Sequence, residues 1–145
     1  MKKWLLTLSL SAFLALPSFA QDIITKASPL SFEETVKFIE STINANKLKI
    51  FAKIDQQQTA KEVGNSINPA TLFIFGNPKI GTGFMKENPV WVLDLPLKVA
   101  IYEDKDHKTF VSIYDMKKIA KRNKLSKEEM PKLEKMAGLL QKLLQ

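Results

Sequence analysis

Thr71-Leu72-Phe73-Ile74-Phe75 puts large apolar side chains on both faces of one short strand, and it is bounded by Pro69 before and Gly76-Asn77-Pro78 after. A strand of that kind has to be covered on both sides by its own chain, or buried in a contact between subunits. Around it the hydrophobic period alternates between two and 3.6, which marks a mixture of strands and helices in one α+β domain. Cysteine is absent and histidine occurs once, so disulfides, thiol catalysis, zinc–thiolate and iron–sulfur sites, and zinc sites built from several histidines are excluded.

Ile23 to Ala27 reads as a first strand. Ser31 and Glu34 form a capping box, and behind them Phe32, Val36, Ile39 and Ile43 recur at helical spacing as one apolar stripe. From Leu48 the period becomes two, with Leu48, Ile50, Ala52 and Ile54 on one side and Lys49, Phe51 and Lys53 on the other. Asp55 caps a short helix from Gln56 to Val63 that ends near Gly64. Pro78 to Lys86 has the makings of a helical turn or two, weakened by Gly81 and Gly83, with Ile80, Phe84 and Met85 facing inward. After the apolar stretch Val90 to Leu95 and a break at Pro96, Leu97, Val99 and Ile101 alternate with Lys98, Ala100 and Tyr102. Asp104 to His107 is a hairpin turn, and Thr109 to Tyr114 is its return strand, Val111 and Ile113 on one face and Phe110, Ser112 and Tyr114 on the other. Asp115 caps a helix to about Arg122. A last helix begins near Met130, because Pro131 fits only its first turn, and carries the stripe Leu133, Met136, Ala137, Leu140, Leu143 and Leu144.

The first twenty residues have the layout of a secretory signal: Met1-Lys2-Lys3, an apolar run from Trp4 to Leu16, then Pro17 and Ser18-Phe19-Ala20 before a cut at Gln21. The run is too short for a membrane span. The expectation is therefore a signal peptide over 1–20, a single domain over 21–124 and an amphipathic C-terminal helix over 125–145, located in the periplasm or secreted, with no transmembrane span. Charge is distributed unevenly. Gln21 to Asp115 holds 11 basic and 12 acidic residues, whereas Met116 to Gln145 holds nine and three, with Lys117, Lys118, Lys121, Arg122 and Lys124 clustered. A solvated helix face explains such a cluster, and contact with an anionic membrane surface is the sharper alternative. Nucleic acid is not expected as a partner, since Arg122 is the sole arginine.

Four groups of residues carry a family resemblance: Ser31-x-x-Glu34-Thr35, Phe73-x-Phe75-Gly76-Asn77-Pro78-Lys79-x-Gly81-Thr82, Asp94-Leu95-Pro96-Leu97-Lys98, and Tyr114-Asp115. In this order and spacing the chain resembles the bacterial domain of unknown function, family 302, over about Ser28 to Lys124. The resemblance implies a mainly antiparallel sheet with helices packed against it, frequent dimers and no agreed biochemical activity. It places the Leu-rich tail after Leu125 outside the family core. Two positions depart from the family pattern: Asp106-His107 stands where relatives carry Asp-Gly, and Gly83 where they carry a second proline.

The residues that could bind a ligand are Gly76, Asn77, Lys79, Thr82, Asp94, Lys98 and Tyr114. Backbone amides and an ammonium group from Gly76 to Gly83 would suit a small anion, although a tight turn accounts for the same residues. Asp94 lies in an apolar run where an unpaired charge is costly, so it needs a partner, with Lys79, Lys98 or nearby amides as candidates. His107 is expected to be exposed and alone in its turn, which rules against a catalytic triad. Met85, Met116, Met130 and Met136 are scattered at core positions, as packing requires and copper ligation does not. With no catalytic constellation and no cofactor expected, the favoured reading is a non-catalytic binding or interaction module, a homodimer with a small molecule or anion as ligand. The alternatives are an enzyme using Asp94 with Lys79 or Lys98, and peripheral membrane contact through the basic C-terminal helix.

Overall fold

In the computed structural model residues 22–144 are described, so the expected signal segment lies outside them. Five strands, β1 (Ile23–Ala27), β2 (Lys49–Asp55), β3 (Ala70–Gly76), β4 (Leu97–Glu103) and β5 (Thr109–Tyr114), form one sheet in the order β1-β5-β4-β3-β2, antiparallel throughout. Helices α1 (Phe32–Ala45), α2 (Gln56–Glu62), α3 (Pro78–Glu87), α4 (Met116–Arg122) and α5 (Met130–Lys142) join them, with a 3-10 turn at Pro89–Leu93. The fold is α+β, as the sequence patterns require.

Alternation within the strands decides where the core sits. Phe73 and Phe75 of β3, Val99 and Ile101 of β4 and Val111 and Ile113 of β5 all point to one side, where they meet Ile39 and Ile43 of α1, Phe84 of α3, Trp91, Ile119 of α4 and Leu133 and Leu140 of α5. Each such side chain contributes about 1.5–3 kcal/mol on burial. The alternate residues, Leu72, Ile74, Lys98, Ala100, Tyr102 and Ser112, form a second face that is only half-buried. This corrects one side of the expectation for Thr71 to Phe75: within the chain the strand is covered on one face only. In β2 the register shifts between Ile50 and Ala52. Ile50 pairs with Phe75 and packs on the core, while Ala52 and Ile54, opposite Ile74 and Leu72, fall on the half-buried face. The extra residue, Phe51, breaks the simple period of two expected from the sequence.

Local chemistry starts the helices. Ser31 Oγ accepts from the Glu34 amide at 3.3 Å, and Glu34 Oε2 accepts from the Ser31 amide at 3.0 Å, completing the capping box of α1. The Ser31 hydroxyl also donates to Glu34 Oε2 at 2.7 Å, and this bond first, with that from the Ser31 amide, holds the Glu34 carboxyl below its ordinary value of 4.5. Asp55 Oδ1 and Asp115 Oδ1 accept from Gln58 and Lys117 in the same way. At α3 the expected turn or two is a full helix of ten residues. Asn77 Oδ1 accepts from Lys79 N at 3.0 Å and Ile80 N at 3.3 Å, Pro78 occupies the first turn and Phe84 is buried, which together outweigh the two glycines. In the β4–β5 hairpin Asp104 Oδ1 accepts from Asp106 N and Lys108 N, the backbone bond from Lys108 being the main reason its carboxyl lies below the ordinary 3.8. His107 adopts φ 57, the left-handed conformation that glycine takes most readily. It is exposed, but not alone: Nδ1 lies 2.9 Å from Glu103 Oε2.

Candidate functional site

At one end of the helix-covered face the end of β3, the first turns of α3, the link into β4 and helix α5 surround a cleft of about 550 Å³. Its walls are mostly apolar, from Leu48 and Phe51, Ile80 and Met85, Leu95 and Pro96, and Met136 and Leu139. Polar atoms are few: Asn46, Asn77 and Thr82, with Lys135 and Lys142 at the rim. The lining contains no Asp or Glu.

The helix α5 serves the core and the cleft with different stripes. Leu133 and Leu140 are buried in the core, whereas Lys135, Gly138, Leu139 and Lys142, spaced three, one and three apart, follow the neighbouring stripe to the cleft. The bulge in β2 contributes as well, because Phe51 is 43% exposed and stands in the wall. Leu95-Pro96 is a cis peptide and closes the side toward β4.

The seven candidate residues do not share one site. Gly76, Asn77 and Thr82 line the cleft. There the amides of Lys79 and Ile80 donate to Asn77 Oδ1, the Gly81 amide donates to Asn77 O at 2.9 Å, and Thr82 Oγ1 donates to Pro78 O at 2.7 Å, so the loop is a capped helix start whose donors are already engaged. Lys79 is exposed and outside the lining. Asp94 is separate. Its side chain is 11% exposed and accepts from Arg122 Nη2 and, at 2.7 Å, from Asn123 Nδ2. The partner that its burial demands is therefore an arginine and an amide of α4 and its C-cap, and neither Lys79 nor Lys98 supplies it. Because Leu95 and Pro96 follow directly, this clasp also fixes one wall of the cleft. Lys98 and Tyr114 lie on the half-buried face of the sheet, with Leu72, Ala100 and Ile23 around a shallow depression of about 200 Å³. Lys98 Nζ donates to Pro96 O at 3.3 Å, and Tyr114 is 43% exposed.

Sequence reasoning missed Phe51, Lys135, Gly138, Leu139 and Lys142. The second stripe on the last helix was the available signal, since its glycine and two lysines share a helical face beside the core stripe. Among the described residues no group of three or more His, Asp or Glu side chains converges as a metal site, and no helix is long and apolar enough to cross a membrane.

Comparison with known proteins gives the chain its place. It is 31% identical over 103 residues to the fluoride-specific ion channel FluC 1 of Brucella suis biovar 1 (strain 1330), covering 71% of this chain and 41% of that protein. The same identity and share of this chain, with 38% of the other, relate it to the fluoride-specific ion channel FluC 1 of Brucella abortus biovar 1 (strain 9-941). The chain thus spans about two-fifths of the curated relatives it matches. Its fold is that of the uncharacterized conserved protein DUF302 from Bacillus stearothermophilus, whose crystal structure superposes with a TM-score of 0.74 at 15% identity, over 86% of this chain and 97% of the other. Residues 24–143 match the family described as "Domain of unknown function DUF302", a span that takes in β1 from its second residue and the whole of α5 and so runs past Lys124, where the resemblance read from the sequence stops. The chain belongs to the DUF302 family.

Proposed function

We propose that this protein is an exported, non-catalytic module that takes a small organic molecule into the cleft beside α3 and α5 and works as a homodimer. The cleft carries the reading. At about 550 Å³ it falls within the range of about 300–1,000 Å³ typical of ligand pockets, and it has their usual make-up of apolar walls with a few polar groups. Gly76, Asn77 and Thr82 contribute to it directly, and Asp94 acts on it through the Leu95-Pro96 wall. Dimerisation is supported by the second face of the sheet, where Leu72, Ile74 and Ala100 are only half-buried. Lys98 and Tyr114 belong to that face and would sit in the subunit contact.

A catalytic Asp94 is the weaker reading, since both its oxygens are engaged and it is not among the cleft's lining residues. The apolar stripe of α5 is turned into the core, with Leu133 and Leu140 each 1% exposed, which leaves little of that face for a membrane. Channel activity, which the names of the Brucella relatives state for those proteins, is not part of this proposal. Native mass spectrometry of protein purified from its own periplasm tests the reading: dimers carrying a retained small molecule are expected, and a bare monomer at high micromolar concentration overturns it.

A further inference from the structure

If a small molecule occupies the cleft, as proposed above, the lining also restricts its chemistry. The walls offer an occupant aliphatic and aromatic contacts, chiefly Phe51, Ile80, Met85 and Leu139. The charged residues of the lining are both lysines. Lys135 and Lys142 lie two turns apart on α5, neither has a carboxylate within ion-pair distance among the described residues, and Lys49 Nζ stands 5.0 Å from the centre of the Phe51 ring.

A third observation is independent of charge. Gly81 of α3 and Gly138 of α5 both border the cleft, and a glycine inside a helix gives up stability relative to alanine. Crowding does not force either one. A Cβ built on Gly138 meets nothing within 4 Å, and one on Gly81 meets only Leu95 Cδ1 at 4.0 Å. The absent methyl groups leave the space between the two helices open where a side chain would have fitted.

We propose that the cleft binds a soluble single-chain amphipathic anion, with its aliphatic tail between α3 and α5 and its carboxylate at the mouth, facing Lys135 and Lys142. Tail burial supplies most of the affinity, and the lysines set the preference among head groups. Two methylenes are worth on the order of tenfold in affinity, so decanoate should bind about ten times more tightly than octanoate.

The test is calorimetric titration of the mature chain at low salt with decanoate, decan-1-ol and decyltrimethylammonium, all below their micellar concentrations. Decanoate is expected to bind most tightly and the alcohol about tenfold more weakly, and the Lys135→Glu, Lys142→Glu double variant should abolish that preference. Gly138→Ala should raise the melting temperature yet weaken decanoate several-fold, and Gly138→Phe should block it. Gly83→Ala, on α3 with open space around its Cβ and outside the lining, should raise the melting temperature and leave binding unchanged. Equal affinity for alcohol and carboxylate, still blocked by Gly138→Phe, overturns the anion proposal while the small-molecule reading stands. Failure of all three ligands overturns the amphiphile, and the retained mass in native spectra then judges the broader reading separately. Sedimentation with phosphatidylglycerol vesicles that survives Gly138→Phe, without binding of free decanoate, overturns it in favour of a lipid surface.

Discussion

The helix-covered face of the sheet and its opposite face are built from the same strands, residue by alternate residue, yet they end in different conditions. On β3, Phe73 and Phe75 are wholly enclosed by helices, while Leu72 and Ile74 between them are only half-buried. The covered face has apolar residues at nearly every inward position. The other mixes Leu72, Ile74 and Ala100 with Lys98, Tyr102 and Ser112, and its hydroxyls bond to each other, Ser112 Oγ to Thr25 Oγ1 at 2.7 Å and to Tyr102 OH at 3.3 Å. Folding stability therefore resides mainly in one face, and the other is available for association. The cleft lies at the edge of the covered side, where helices that could have closed the gap leave it open.

Substitutions can break this contrast. Phe73→Ala should cost about 3–5 kcal/mol in urea unfolding, the usual effect of emptying a packed aromatic site. Asp94→Ala should cost about 1–3 kcal/mol, because Asn123 and Arg122 lose a shared acceptor. It should also loosen the Leu95-Pro96 wall, seen as faster amide exchange at Leu95 and Leu97. Leu72→Ala, next to Phe73 in the chain, should cost only about 1 kcal/mol in the folded chain; under the proposed pairing through the half-buried face, its larger effect falls on the dimer fraction measured by light scattering. Equal losses at Leu72 and Phe73 would abolish the distinction between the faces.

The smallest effect concerns pH. Glu34 has a lowered pKa in the folded chain, so the folded state favours its ionised form. That contribution is complete above the ordinary value of 4.5 and is lost as the pH falls through the lower folded value. The stability difference between the parent and Glu34→Ala should therefore shrink on acidification below about pH 4.5, by chemical denaturation at a series of pH values.

What was legible in the sequence was local. Ser31 with Glu34, Asp55 with Gln58 and Asp115 with Lys117 are three or fewer residues apart, so helix starts could be read from residue type and spacing. Alternation identified the inward residues of β4 and β5 for the same reason. The partner of Asp94 was not legible, because Arg122 is 28 residues away and is brought near only by the packing of α4. A carboxylate in an apolar run announces a need for a cation without naming it. The β2 bulge was hidden because the exposure along Lys49–Asp55 still alternates, even though the faces exchange at Phe51. The cleft was half visible. Gly76, Asn77 and Thr82 lie in one continuous stretch, but its other wall comes from α5, and no local pattern joins segments so distant in the chain.

The Phe51 bulge has a consequence for how copies of this protein can meet. β2 is an outermost strand of the sheet, and it displays Lys49 and Lys53 beside that irregularity. A kinked margin that carries lysines makes a poor template for hydrogen bonding to a further strand. Growth into continuous ribbons through this edge is thereby discouraged.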